Sequence, residues 1–302
     1  MGLRRATVRL LPAVAPWLFV ILWSTGFLGA KYGLPFAPPF TFLFIRMQIA
    51  WILLVGISAV RCAPWPRDRR QIGHVAVTGV LLHAGYLGGV FYAISRGMPA
   101  GLSSLIVGLQ PILTAVCAQA LLRERVVGRQ WLGLVLGLAG VGLVVEEKVR
   151  AGAAHSIPPG AFLAIAVALI ATTAGTLYQK RFGAAVDISS AAAIQYFSAG
   201  IVLGVLAFTT EEMHVRWTGQ FVFALGWLVL VLSLGAVSLL LVLIRGNSVS
   251  RVASLLYLVP PVTAIEAYLL FDERFGPTAL AGLAVVAVGV ALVMRQPARR
   301  GL

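Results

Sequence analysis

Blocks of about 20 predominantly apolar residues, the length a helix needs to cross the hydrocarbon of a bilayer, recur along this chain with only short links between them. Ten such blocks are expected as helices, over residues 12–33, 40–60, 72–95, 100–122, 129–146, 158–180, 188–209, 221–244, 249–271 and 277–294. Many links carry helix-ending residues, among them Pro35, Pro38, Pro39, Pro64, Pro66, Pro158, Pro159, Gly276 and Pro277. None is long enough to hold a soluble domain.

The pattern repeats at a shift of 149 positions. Arg96 and Gly97 fall on Arg245 and Gly246, Pro111 on Pro260, Thr114 on Thr263, Glu124 and Arg125 on Glu273 and Arg274, Gly133 on Gly282, and Gly140 on Gly289. Gly26, Leu28 and Lys31 fall on Gly175, Leu177 and Lys180 without a gap. The chain therefore divides into a first repeat, 1–149, and a second, 150–302. Each repeat holds five crossings, an odd number, so the second must enter the membrane from the side opposite to the first. The expected fold is an all-α integral membrane protein, ten transmembrane helices as two inverted five-helix repeats. That plan is common among alternating-access carriers.

Composition agrees. Apolar residues make up 60% of the 302 and charged residues 11%, against about 45–50% and 25% in soluble domains. The net charge of +14 would ordinarily point to an acidic partner, but the basic residues lie between apolar blocks. Alternate links on one side collect Arg4, Arg5, Arg9, Arg61, Arg67, Arg69, Arg70, Arg123, Arg125, Arg129, Lys180, Arg181, Arg245, Arg251 and the C-terminal arginines. The other side holds few bases and most of the acids, Glu146, Glu147, Glu211, Glu212, Asp272 and Glu273. Lys and Arg excess marks the cytoplasmic face, so the chain is expected in the cytoplasmic membrane with both termini on the cytoplasmic side, and no nucleic-acid partner is expected. Residues 1–30 have the layout of a secretory signal, but Lys31 and Tyr32 stand where a small-residue cleavage site belongs, so a retained first helix is expected. Cys62 and Cys117 make neither a disulfide framework nor a metal site; no metal and no cofactor are expected.

Two stretches, GMPAGLSSLIVGLQPILTAVCAQALLRERVVGRQWLGLVLGLAGVGLVV at 97–145 and SVSRVASLLYLVPPVTAIEAYLLFDERFGPTALAGLAVVAVGVALV at 248–293, share their proline, glutamate and glycine positions. With the five-plus-five plan, they give the chain a resemblance to the EamA family of the drug/metabolite transporter superfamily. The resemblance covers nearly the whole chain. It implies a carrier or exporter of small metabolites, with a cavity lined mainly by spans 1, 3, 4, 6, 8 and 9. Small multidrug-resistance relatives couple protons through a glutamate in their first helix. Here that helix carries Trp23, Ser24, Thr25 and Phe27 and no acid.

Polar groups inside a span are costly in hydrocarbon and so mark cavities or partner helices. Glu266 is the one acid well inside a block and shares a face with Thr263. Ser103, Gln110, Thr114 and Cys117 form the matching face of the fourth block, a cavity lining or a set of close helix contacts. His83, with Tyr86 nearly one turn on, is a residue that changes charge near neutrality. Arg46 lies in the second block and fits an internal ion pair, a snorkelled charge or an anion site. Trp23, Phe27, Tyr86, Phe91, Tyr178 and Tyr257 offer an aromatic lining or routine packing. Pro111 and Pro260, at equivalent places, each remove a backbone donor and are candidate helix hinges. Gly133, Gly137, Gly140, Gly282 and Gly289 provide surfaces for close helix packing, and are open to use in a homodimer.

The binding set expected from the sequence is thus Trp23, His83, Tyr86, Gln110, Thr114, Tyr178, Tyr257, Thr263 and Glu266. The leading function is a secondary transporter, an exporter of amino acids or related solutes working by alternating access. Nothing resembles the phosphate-binding loop of a primary pump. The competing readings are a facilitator or a proton-coupled efflux protein for cationic or aromatic drugs and, more remotely, a membrane-embedded enzyme. The enzyme reading lacks a zinc-binding His pair and a pair of intramembrane acids; no catalytic residue is expected.

Overall fold

The computed structural model describes residues 2–114, 117, 128–150, 157–182, 186–236, 239 and 256–294, and among them all regular structure is helical. The helices are α1 Gly2–Gly33, α2 Pro39–Val60, α3 Arg69–Ser95, α4 Ala100–Thr114, α5 Gly128–Arg150, α6 Pro159–Phe182, α7 Ile188–Thr210, α8 Gly219–Ala236, α9 Val259–Phe271 and α10 Pro277–Met294. Six stretches, within α1, α2, α3, α6, α7 and α8, are long and apolar enough to cross a membrane; shorter apolar helices lie in α4, α9 and α10.

Local chemistry sets the ends. Asp68 caps α3 by accepting the amide of Arg70 at 3.0 Å, Asp187 caps α7 through Ser189 at 2.9 Å, and Thr218 caps α8 through Phe221 at 3.2 Å. Such side chains satisfy amides that a helix leaves unpaired at its start. Proline opens α2, where its missing N–H is no loss. Asp272 closes α9 in the left-handed conformation, at φ 51°.

At the end of the molecule where α1 finishes, three carboxylates borrow the same device across helices. Glu211, just past α7, accepts the amides of Phe40 and Thr41 at the start of α2, at 2.9 and 2.7 Å. Glu273, just past α9, accepts those of Ala100 and Gly101 in α4 and also binds Lys31 of α1. Glu147 of α5 accepts the amides of Gly276 and Ala279 at the start of α10. Each carboxylate joins the end of one helix to the beginning of another, and the positive ends of those helix dipoles favour it there. Glu273 thus serves as ion-pair partner and helix cap at once.

The interior is packed with Phe19, Phe42, Phe91, Phe221, Leu43 and Met47, while Leu269 (72% exposed), Phe208 (70%), Leu163 and Ile170 point outward. An outer surface this apolar matches lipid. The glycine faces meet each other within the chain: a Cβ on Gly140 would lie 2.5 Å from the carbonyl oxygen of Gly282, and one on Gly289 would lie 2.7 Å from that of Gly133. This contact between α5 and α10 uses the surface that the sequence left open to a homodimer.

Candidate functional site

Between the two halves lies a cavity of about 310 Å³, walled by side chains of α1, α2, α3, α4, α6, α7 and α8 and by Leu256 ahead of α9. A smaller space of about 70 Å³ adjoins it and shares Trp23, Phe27, Tyr86 and Gln110. Phe42, Phe91 and Phe221 lie toward the end where α1 finishes, with ring centroids 5.5 Å (Phe42–Phe91) and 4.9 Å (Phe42–Phe221) apart, all fully buried. They close the packing on that side.

Two irregular helix segments shape the wall. Residues Val80–Gly85 in α3 and Trp227–Ala236 in α8 are π-helical, and a shift of 149 carries the first into the second. A π turn holds an extra residue, which widens the helix and re-aims side chains, and such turns are frequent at functional sites. The first segment delivers Leu82 and His83 to the cavity and the second Leu232 and Ser233.

Helices of the opposite half meet these segments in parallel fashion. Arg46 Nη2 in α2 donates to Ser233 Oγ of α8 at 3.2 Å. Gln195, which the 149-residue shift places at the equivalent of Arg46, faces His83 of α3 from α7. Its neighbour Tyr196 packs on His83 with ring centroids 4.4 Å apart. Gln110 of α4 donates through Nε2 to Thr176 Oγ1 of α6 at 2.8 Å, and that hydroxyl in turn donates to the carbonyl of Thr172. The same shift relates Trp23 to Thr172, Gly26 to Gly175 and Phe27 to Thr176. Trp23, Gly26 and Phe27 face the cavity from α1, and Thr172 and Thr176 from α6.

Of the residues expected from sequence, Trp23, His83, Tyr86 and Gln110 come together on this wall, with Phe27 and Phe91 from the wider aromatic set. Tyr178 does not. It lies two residues past Thr176, roughly 200° around the helix, and instead meets His74 Nδ1 at 2.7 Å, beside Phe182. Thr114 and Thr263 are also off the wall. Each has a buried hydroxyl without a hydrogen-bond partner, as does Ser103, and the Ala100–Val107 part of α4 packs directly on α9. Glu266 lies off the wall too: it is partly exposed, faces Ser24 of α1 and keeps one buried oxygen, Oε2, without a partner. The side chain of Tyr257 lies outside the described residues.

Pro111 and Pro260 line the smaller space, but not as kinks inside unbroken helices. A turn at Gly108 and Leu109 interrupts α4 just before Pro111, and a 3₁₀ turn, Leu256–Leu258, precedes Pro260 at the start of α9. The lost proline donors fall where regular helix already breaks.

Sequence reasoning missed Thr172, Thr176, Tyr196 and Ser233 as wall residues and left Arg46 among three readings. Arg46 is 4% exposed, which removes snorkelling. For Thr172 and Thr176 the available signal was the repeat itself, since they lie 149 positions beyond Trp23 and Phe27.

The EamA-like transporter family matches the chain twice, over residues 14–146 and 158–295. An uncharacterized transporter of Bacillus subtilis, YvbV, is 28% identical over 282 residues, covering 91% of this chain and 88% of that protein. A probable amino-acid metabolite efflux pump of Escherichia coli K12 is 26% identical over 283 residues, 90% of this chain and 91% of the pump. A crystal structure of another protein, 20% identical, shares the fold with a TM-score of 0.64 over 93% of this chain and 95% of that one.

Proposed function

Because the chain belongs to the EamA-like transporter family, we propose that it exports a small metabolite across the cytoplasmic membrane as a secondary transporter working by alternating access. The observation that carries this reading is the central cavity, to which the two halves contribute from equivalent positions. A wall shared by two related bundles gives each bundle a face to rock against the other, which is how a fixed site meets either side in turn.

The same reading includes ten crossings in two inverted repeats, 1–149 and 150–302, with both termini in the cytoplasm. Basic residues concentrated at one end support it. The end bearing Lys31, Glu147, Glu211 and Glu273 is then external, and its aromatic packing and cross-helix caps are its closed gate. The name of the E. coli relative supports export of a small metabolite at the level of class. A cationic drug is a poorer cargo, because the wall carries buried Arg46. Glu266 lies off the wall and has no coupling role in this reading.

Reconstitution in liposomes tests the function. Radiolabelled amino acids, organic acids, sugars and cationic dyes are offered with and without a pH gradient. Saturable flux is expected for at least one class. Flux no greater than in protein-free vesicles for every class would defeat the reading.

A further inference from the structure

We propose that the solute carries a carboxylate and that Arg46 is its counter-ion; this names the substrate class of the carrier reading above and rests on it. Arg46 stands seven residues into α2, on the order of 10 Å along the helix axis. Its side chain is 4% exposed and lines the cavity. A guanidinium has five N–H donors in a rigid fork. Here Nη2 reaches Ser233, while Nε is buried with no partner.

No carboxylate of the described residues answers that charge. The ion pairs among them are Lys31 with Glu273 and Arg274 with Asp272. Glu147, Glu211 and Glu273 are engaged at helix starts on one end of the molecule, and Asp68 and Asp187 cap helices at the other. Glu266 faces Ser24 and is not among the residues that line the cavity. A buried charge left unpaired costs several kcal/mol, and intramembrane cations are kept where they meet a partner in a substrate path. The fork matches a carboxylate bidentately, with a geometry that an ammonium or a neutral amide cannot supply.

The rest of the wall defines the body attached to that carboxylate. Trp23, Phe27, Leu82, Leu87, Val90 and Leu232 are apolar or aromatic, and the cavity's 310 Å³ lies at the small end of ligand sites, about 300–1,000 Å³. The equivalent of Arg46 in the second half is Gln195, which is uncharged, so the site offers one positive charge. It offers no acid to an ammonium group. The cargo is therefore a compact monocarboxylic acid with an apolar or aromatic body, favoured over the corresponding amino acid.

Binding to the purified full-length protein in nanodiscs, read by calorimetry, tests this directly. The probes are butyrate, 3-phenylpropionate and indole-3-acetate, each beside its amide, together with L-phenylalanine. The wild type is expected to bind at least one acid ten times or more tighter than its amide, and 3-phenylpropionate tighter than L-phenylalanine. Arg46→Gln erases the acid-over-amide preference, whereas Arg46→Lys keeps it at severalfold weaker affinity. Equal affinity of acids and amides in the wild type, or binding by none of the acids, overturns the inference without any variant needing to fold. Acid selectivity without saturable flux of the same acid in liposomes leaves the anion site standing and defeats the carrier reading. Saturable flux of another solute, with no acid selectivity, does the reverse.

Discussion

Lys31 and Glu273 meet at 2.5 Å, tying the end of α1 to the end of α9. The same carboxylate holds the first amides of α4, at 3.1 and 3.2 Å, and Lys31 also lies 4.5 Å from the centroid of the Phe271 ring. Three helices therefore converge on one side chain. Glu273→Ala removes both the ion pair and the cap, whereas Lys31→Met leaves the cap and removes the ion pair and the contact with the Phe271 ring. The alanine variant is expected to lose about 1–2 kcal/mol of stability and the methionine variant clearly less. Thermal unfolding in detergent ranks the two; equal losses would show that the cap contributes no more than the Lys31–Phe271 contact.

The α5–α10 contact gives a test with an internal control. A methyl group at Gly140 would lie 2.5 Å from a backbone oxygen, whereas at Gly142 it would meet nothing within 4 Å. Gly140→Ala is expected to destabilise by about 1–3 kcal/mol, since backbone cannot move aside as a side chain can. Gly142→Ala should leave the unfolding temperature unchanged or slightly raise it, because alanine favours helix.

Orientation is open to labelling through a native thiol. Cys62 is exposed at the end of α2, on the face assigned to the cytoplasm. In a Cys117→Ala background, a membrane-impermeant maleimide should label Cys62 in inside-out vesicles and not in intact cells. Met213→Cys, introduced beyond α7 in a Cys62→Ala, Cys117→Ala background, should show the opposite pattern. Labelling of both from one side would falsify the assigned topology.

The wall itself separates binding residues from bystanders. Tyr178→Phe and Thr263→Val should leave the affinity for a transported solute within about twofold, as neither side chain reaches the cavity. Trp23→Ala should weaken it about tenfold or more, in line with the loss of a large buried aromatic contact. A binding loss in Tyr178→Phe equal to that in Trp23→Ala would contradict the arrangement of α6.

Much of this was legible in the chain. The starts of α2 and α7, at Pro39 and Ile188, fall within one residue of the expected blocks, while α3 begins at Arg69, three residues before its block, where Asp68 caps it. The glycine faces of α5 and α10 were visible as well, because only small residues let helices come so close. His83 and Gln110 stood out as polar groups in hydrocarbon, and both reached the cavity.

Thr114, Thr263 and Glu266 stood out for the same reason and did not, because polarity identifies a residue that avoids lipid without saying whether it faces a cavity or a neighbouring helix. The fate of Arg46 illustrates the rest. Its hydrogen-bond partner is Ser233, 187 residues away, in a π segment that no local pattern announced.

By itself the sequence determined that the chain is helical, where most described helices begin, and that two related halves follow one another. Those properties depend on block length, capping chemistry and a repeated pattern. Tertiary structure alone decided which face of each helix looks inward. In a bilayer the surroundings are as apolar as the protein core, so hydrophobicity does not orient a helix. Trp23 and Tyr178 could be told apart only once α1 and α6 were packed in place.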